Sequence, residues 1–137
     1  MNYYDDCILF LLAKAYQRVH GLFKNRLKKY GLTPVQELVL LAIYENEGVS
    51  AGDIVSRLVL DHATLSGIMD RLADGGWISK KTGAKDRRFL QIYLTPKTKE
   101  LMDDIVRERD ELQGEIMGSL KLEERLLLMR MLKDLRK

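Results

Sequence analysis

The sequence predicts a mainly α-helical fold with one small β-hairpin past its middle. Three observations predict it. Apolar residues recur at three- and four-residue steps over most of the chain. Between Trp77 and Leu94 that period drops to two. Helix-start signals stand at Thr33-Pro34, Ser50, Asp61 and Thr95-Pro96. With 137 residues, 46% hydrophobic and 31% charged, the chain has the length and composition of a single globular domain, residues 1–137.

The first segment, about Tyr4 to Lys29, is helical by period: Ile8, Leu11, Leu12, Ala15, Tyr16, Val19, Leu22, Phe23 and Leu27 make one long stripe. A domain of this size has little spare core to cover it, whereas a second subunit would. The next helix starts at Thr33-Pro34-Val35-Gln36, with Thr33 as N-cap, Pro34 in the first turn and Gln36 closing a capping box. It runs to about Asn46, and Gly48 ends it. A short helix starts at Ser50 and buries Ile54, Val55 and Leu58. Asp61 caps a fourth helix, His62 to about Ala73, with Leu65, Ile68, Met69 and Leu72 inward and Gly75-Gly76 as its stop. Its polar residues His62, Thr64, Ser66, Asp70 and Arg71 fall largely outside that stripe.

Two strands follow, Trp77–Lys81 and Phe89–Leu94, with Leu90, Ile92 and Leu94 on one face and Thr82–Arg88 as a basic tip. Thr95-Pro96 opens a helix to about Gly118, and a last helix runs from about Leu122 to Arg136. The last is too apolar to stand alone in water, so it should pack on the first segment and its symmetry mate. Two short capped helices followed by a basic hairpin read as a winged helix-turn-helix.

The net charge of +3 is unevenly spread. Lys14 to Lys29 holds six basic residues and no acidic one. Trp77 to Lys99 holds seven, Lys80, Lys81, Lys85, Arg87, Arg88, Lys97 and Lys99, against Asp86 alone. Such segregation suits a polyanion partner.

Other function classes lack their residues. No Ser or Cys stands in a nucleophile elbow beside a histidine, and Gly75-Gly76 ends a helix instead of opening a phosphate loop. An enzyme is therefore not expected. One Cys and two His leave no metal-ligand pattern, so neither metal nor cofactor is expected. The single Cys excludes an intramolecular disulfide, and no run approaches the roughly 20 apolar residues of a membrane span. A cytoplasmic protein without a membrane partner is expected.

DNA binding fits the layout. A helix enters the major groove of B-DNA, and short polar side chains at its start reach base edges, which points to His62, Thr64 and Ser66. That helix is itself acidic, with Arg71 among Asp61, Asp70 and Asp74. Phosphate attraction must come chiefly from the hairpin, with Lys80, Lys81, Lys85, Arg87 and Arg88.

From Leu32-Thr33-Pro34 through Asp61-His62-Ala63-Thr64-Leu65-Ser66, Arg71-Leu72, Gly75-Gly76-Trp77-Ile78, Lys85-Asp86-Arg87-Arg88 and Leu94-Thr95, the chain resembles the MarR family of winged-helix transcription regulators. The resemblance covers essentially the whole chain. It implies a DNA-binding part at 33–95 and helical dimerisation parts at 1–30 and 97–137. It implies a homodimer on a pseudo-palindromic double-stranded operator, acting as a repressor released by a small aromatic or phenolic effector. Arg88 matches the wing Arg that enters the minor groove, with Asp86 as its support and Arg87 as the competing choice. Tyr16, His20 and Phe23 lie toward the family's effector pocket.

One branch of the family senses peroxide through a Cys in its first helix. Cys7 lies in the segment read as that helix, but aligning Leu9-Phe10-Leu11-Leu12 with that branch puts its Cys at Leu9. Two residues turn a helix by about 200°. Asp5 and Asp6 also disfavour a thiolate. A redox sensor using Cys7 and a winged-helix protein-interaction module are the alternatives.

Overall fold

The computed structural model describes residues 2–82 and 90–137. Among them lie six α-helices, α1 (Ile8–Leu27), α2 (Pro34–Glu45), α3 (Ala51–Leu58), α4 (His62–Asp74), α5 (Pro96–Ile116) and α6 (Leu122–Leu135). Three strands, β1 (Val49–Ser50), β2 (Ile78–Thr82) and β3 (Leu90–Leu94), form an antiparallel sheet in the order β1-β3-β2. No described helix is long and apolar enough to cross a membrane.

Local chemistry accounts for most boundaries. At α2 the Thr33 hydroxyl accepts from the Gln36 amide at 3.2 Å, and the Gln36 side chain accepts from the Thr33 amide at 2.9 Å. Ser50 accepts from the Asp53 amide at the start of α3. The Thr95 hydroxyl accepts from the Thr98 amide at the start of α5. Each satisfies a helix N–H that has no partner within the helix. Gly48, at φ +84°, turns the chain from α2 into β1, a conformation that disfavours a Cβ. α3 ends differently. Val59 takes the left-handed conformation, φ 54° and ψ 47°, and its amide donates back to Val55.

Three expectations need correction. The first helix begins at Ile8, not Tyr4. The Asn2 side chain bonds Asp5, and the Cys7 amide bonds the Tyr4 carbonyl, so a separate turn precedes it. Cys7 therefore lies just outside α1, exposed, with its carbonyl accepting from Leu11. The hairpin also gains a third strand: β1 pairs Val49 with Ile92 and Ser50 with Gln91. Finally, Leu90 shares the face of Ile92 and Leu94 by alternation but is exposed, since burial fades along β3 away from the core.

The chain divides into two compact units, Phe23–Ile105 and Met1–Leu22 with Val106–Lys137. The first holds almost the whole core: Val39, Leu40, Ile43, Ile54, Leu65, Leu72, Ile92, Met102 and Ile105 are all but inaccessible. In it α2 packs on α3 and β3, and α4 packs on α3 and β2. In the second unit Leu112 is the one buried apolar side chain among the described residues. Many of its other large apolar groups face outward, with Ile8 61%, Leu9 75% and Leu126 65% exposed, and no residue of α6 is buried.

Candidate nucleic-acid interface

The candidate site is built on α4. Leu65, Ile68, Met69 and Leu72 are buried at three- and four-residue steps and set the helix's rotation. His62, Thr64, Ser66, Asp70 and Arg71 are consequently exposed. His62, Ser66 and Asp70 follow one another at four-residue spacing and form a ridge along one flank. Beside it Ala63 and Gly67 are small, and a Cβ at Gly67 would meet no atom within 4 Å. The exposed flank can thus approach another surface closely.

Thr64 stands apart from that ridge. Two residues from His62, it is turned by about 200°. Its amide donates to Asp61 Oδ1 at 2.7 Å and its hydroxyl to Asp61 Oδ2 at 2.8 Å. Asp61 is the N-cap expected from the sequence. The role of the Thr64 hydroxyl as its second donor was not anticipated, although the three-residue spacing carries that signal. With its proton committed to the cap, the hydroxyl keeps only its lone pairs for another partner.

These two bonds, the amide foremost, hold the Asp61 carboxyl below its ordinary value of 3.8. A folded-state value below the unfolded one means that the cap's contribution is fully present above the unfolded value. It is lost only as pH falls through the lower, folded value. The Thr64 amide resonance should therefore stay constant from pH 7 down to about pH 4 and move below it. A midpoint above pH 4 in an NMR titration would contradict the capping geometry.

The strand pair beside α4 is placed by a hydroxyl network. The Trp77 amide donates to the Leu72 carbonyl at 2.9 Å, which fixes the turn out of α4. Gly76 holds φ +78° in that turn. The Thr95 hydroxyl donates to the Gly76 carbonyl at 2.8 Å, and the buried Thr98 hydroxyl to the Trp77 carbonyl at 2.7 Å. β2 and β3 then pair from Ile78↔Leu94 out to Thr82↔Leu90.

Two basic residues of this pair have partners within the chain. Lys80 Nζ donates to Asp70 at 2.7 Å, and Lys81 Nζ lies 5.0 Å from the centre of the Tyr93 ring. Both arise from strand parity, which sends Lys80 toward α4 and Lys81 to the opposite face. Lys85, Asp86, Arg87 and Arg88 lie outside the described residues.

On α1 the Tyr16 and His20 rings stand 5.4 Å apart, tilted by 39°. Tyr16 is exposed, while His20 and Phe23 are half-buried. No group of three or more His, Cys, Asp or Glu among the described residues could hold a metal.

The chain is similar to known proteins. A sequence model of the MarR family matches residues 30–88. The transcriptional regulator TtmR of Methylorubrum extorquens is 34% identical over 97 residues, which are 71% of this chain and 50% of that protein. The chain therefore spans about half the length of TtmR. The transcriptional repressor NicR of Pseudomonas putida is 28% identical over 125 residues, covering 91% of this chain and 79% of that one. Among solved structures, Bordetella bronchiseptica BpsR, whose DNA binding is regulated by 6-hydroxynicotinic acid, superposes with a TM-score of 0.91. It is 26% identical and covers 100% of this chain and 98% of that one.

Proposed function

The chain belongs to the MarR family of DNA-binding winged-helix transcription regulators, which are not enzymes, and from that premise we propose that it acts as a homodimeric repressor. The observation that carries this reading is the exposed ridge of α4, which starts at a capped N-terminus and stands beside the β2–β3 pair. α4 enters the major groove, with His62 and Ser66 at base edges and Thr64 offering its remaining lone pairs. Arg71, exposed in the last turn, meets the phosphate backbone. In this reading Arg88 enters the adjacent minor groove with Asp86 as its support, while Lys85 and Arg87 meet phosphates.

The DNA-binding part is residues 33–95, and the dimerisation parts are residues 1–30 and 97–137. A dimer is supported by the exposed apolar side chains of α1 and α6, since a monomer rarely leaves such a surface in water. Its half-sites lie about 10 to 10.5 bp apart or a multiple of that. A small aromatic effector, with Tyr16, His20 and Phe23 as its aromatic contacts, lowers operator affinity. The effector regulation of BpsR and the Tyr16–His20 ring pair support this. The redox reading is not favoured, because Cys7 lies outside α1.

Selection of bound duplexes from a random pool tests the reading and supplies the operator. Ser66→Ala should then shift sequence preference while leaving affinity for random DNA nearly intact. Arg88→Ala should cost about 1 to 3 kcal/mol on the selected duplex with some loss of A·T preference beside each half-site. Arg87→Ala should weaken all duplexes alike and lower the salt slope by about one unit. Fluorescence anisotropy at several salt concentrations separates these outcomes. If Ser66→Ala leaves the preference unchanged, the wrong face of α4 has been assigned to DNA. If Arg88→Ala binds like wild type and Arg87→Ala does not, their roles are exchanged.

A further inference from the structure

We propose that Asp70 masks the charge of Lys80 and so weakens binding to DNA of every sequence. This rests on the reading that the ridge of α4 faces the major groove.

The ridge carries His62, Ser66 and then Asp70, at four-residue steps. A carboxylate there points at a polyanion, and alone it opposes docking. The structure supplies its partner from β2. Lys80 pairs across the sheet with Ile92, which is wholly buried, so the Lys80 side chain leaves the sheet on the core side and runs toward α4. Its ammonium ends 2.7 Å from Asp70 Oδ1. The lysine side chain is 27% exposed and the aspartate side chain 64%. The lysine is thus the held partner, and the carboxylate reaches out to it from the exposed ridge.

The sum at this spot is one negative and one positive charge. A cation that binds a carboxylate releases no counterion from DNA when the complex forms. Each phosphate neutralised contributes about 0.9 to the salt slope, so a masked lysine removes about that much from the attraction. Lys81 is not offset in this way: its contact is a ring face, which leaves the full positive charge in place. The strand pair therefore presents less charge to DNA than a count of its lysines gives. The effect is general and not base-specific, because phosphates are the same at every sequence.

The test is a charge cycle on the full chain, read by anisotropy on a random-sequence duplex and on the duplex selected by wild type. Asp70→Asn frees Lys80. It should steepen the salt slope by about 0.9 and raise affinity on both duplexes by roughly 5- to 10-fold per contacting subunit at 0.1 M salt. Lys80→Gln leaves Asp70 uncompensated and should move both quantities the other way. The double variant again carries no net charge and should return both to wild type. The ratio between the two duplexes should stay constant throughout.

Three results overturn the proposal. In the first, Asp70→Asn equals wild type while the double variant follows Lys80→Gln, which makes Lys80 an ordinary phosphate contact. In the second, Asp70→Asn changes sequence preference without changing the slope, which makes Asp70 a base reader. A wild type that binds neither duplex overturns the groove reading together with this one, whereas the first two outcomes leave that reading standing.

Discussion

Deleting residues 122–137 should convert the protein into aggregate. The expectation follows from what α6 is in the isolated chain: a helix without one buried residue, carrying Leu122, Leu126, Leu127, Met129, Met131, Leu132 and Leu135 in exposed positions. The same unit holds Ile8, Leu9, Leu11, Leu12 and Tyr16, exposed on α1. Fully burying one Leu or Ile is worth about 1.5 to 3 kcal/mol. Several such side chains covered together make association and folding one equilibrium, so a protomer lacking them has no stable alternative. Light scattering on the eluting peak, with far-UV circular dichroism, gives the answer. A monodisperse, helical monomer from the truncated chain would refute the dimer reading.

The second large effect is expected in the other unit. Leu72→Ala should destabilise the fold by about 2 to 5 kcal/mol. Leu72 is 1% exposed, and its carbonyl accepts the Trp77 amide that starts the turn into β2. Truncation leaves a cavity between the helix and the strands it carries, because neighbours held by the Thr95 and Thr98 hydroxyls have little freedom to close in. Urea unfolding at fixed protein concentration measures the loss. Affinity for DNA should fall with it as α4 loses its seat. A change below about 1 kcal/mol would mean that α4 is held by something other than this core.

Much of the fold was legible because its decisive signals are local. Thr33 with Gln36, Ser50 with Asp53, and Asp61 with Thr64 each act over three residues, and all three caps form where the spacing places them. The rotation of α4 was equally readable, since Leu65, Ile68, Met69 and Leu72 recur with the helical period. Strand β1 was not readable. Two residues have no period, and Val49-Ser50 becomes a strand only because the edge of β3 lies beside it. The start of α1 was misplaced because the apolar spacing continues through Tyr4, while the side-chain bond from Asn2 to Asp5 favours a turn there.

The candidate site was legible as a set of exposed positions but not as a set of partners. Thr64 is committed to Asp61 and Lys80 to Asp70. The second pairing joins residues ten apart on different elements, which no single-element period reveals.

Val59 has a consequence of another kind. Its left-handed backbone costs an L-residue roughly 1 to 2 kcal/mol, and for a β-branched side chain it is an outlier. Glycine would remove that cost but would enlarge the unfolded ensemble, a loss of about 0.5 to 1 kcal/mol. The valine side chain is 74% exposed, so little packing enters the balance. The first term is the larger, so Val59→Gly should be neutral or stabilise the fold by up to about 1.5 kcal/mol in urea unfolding.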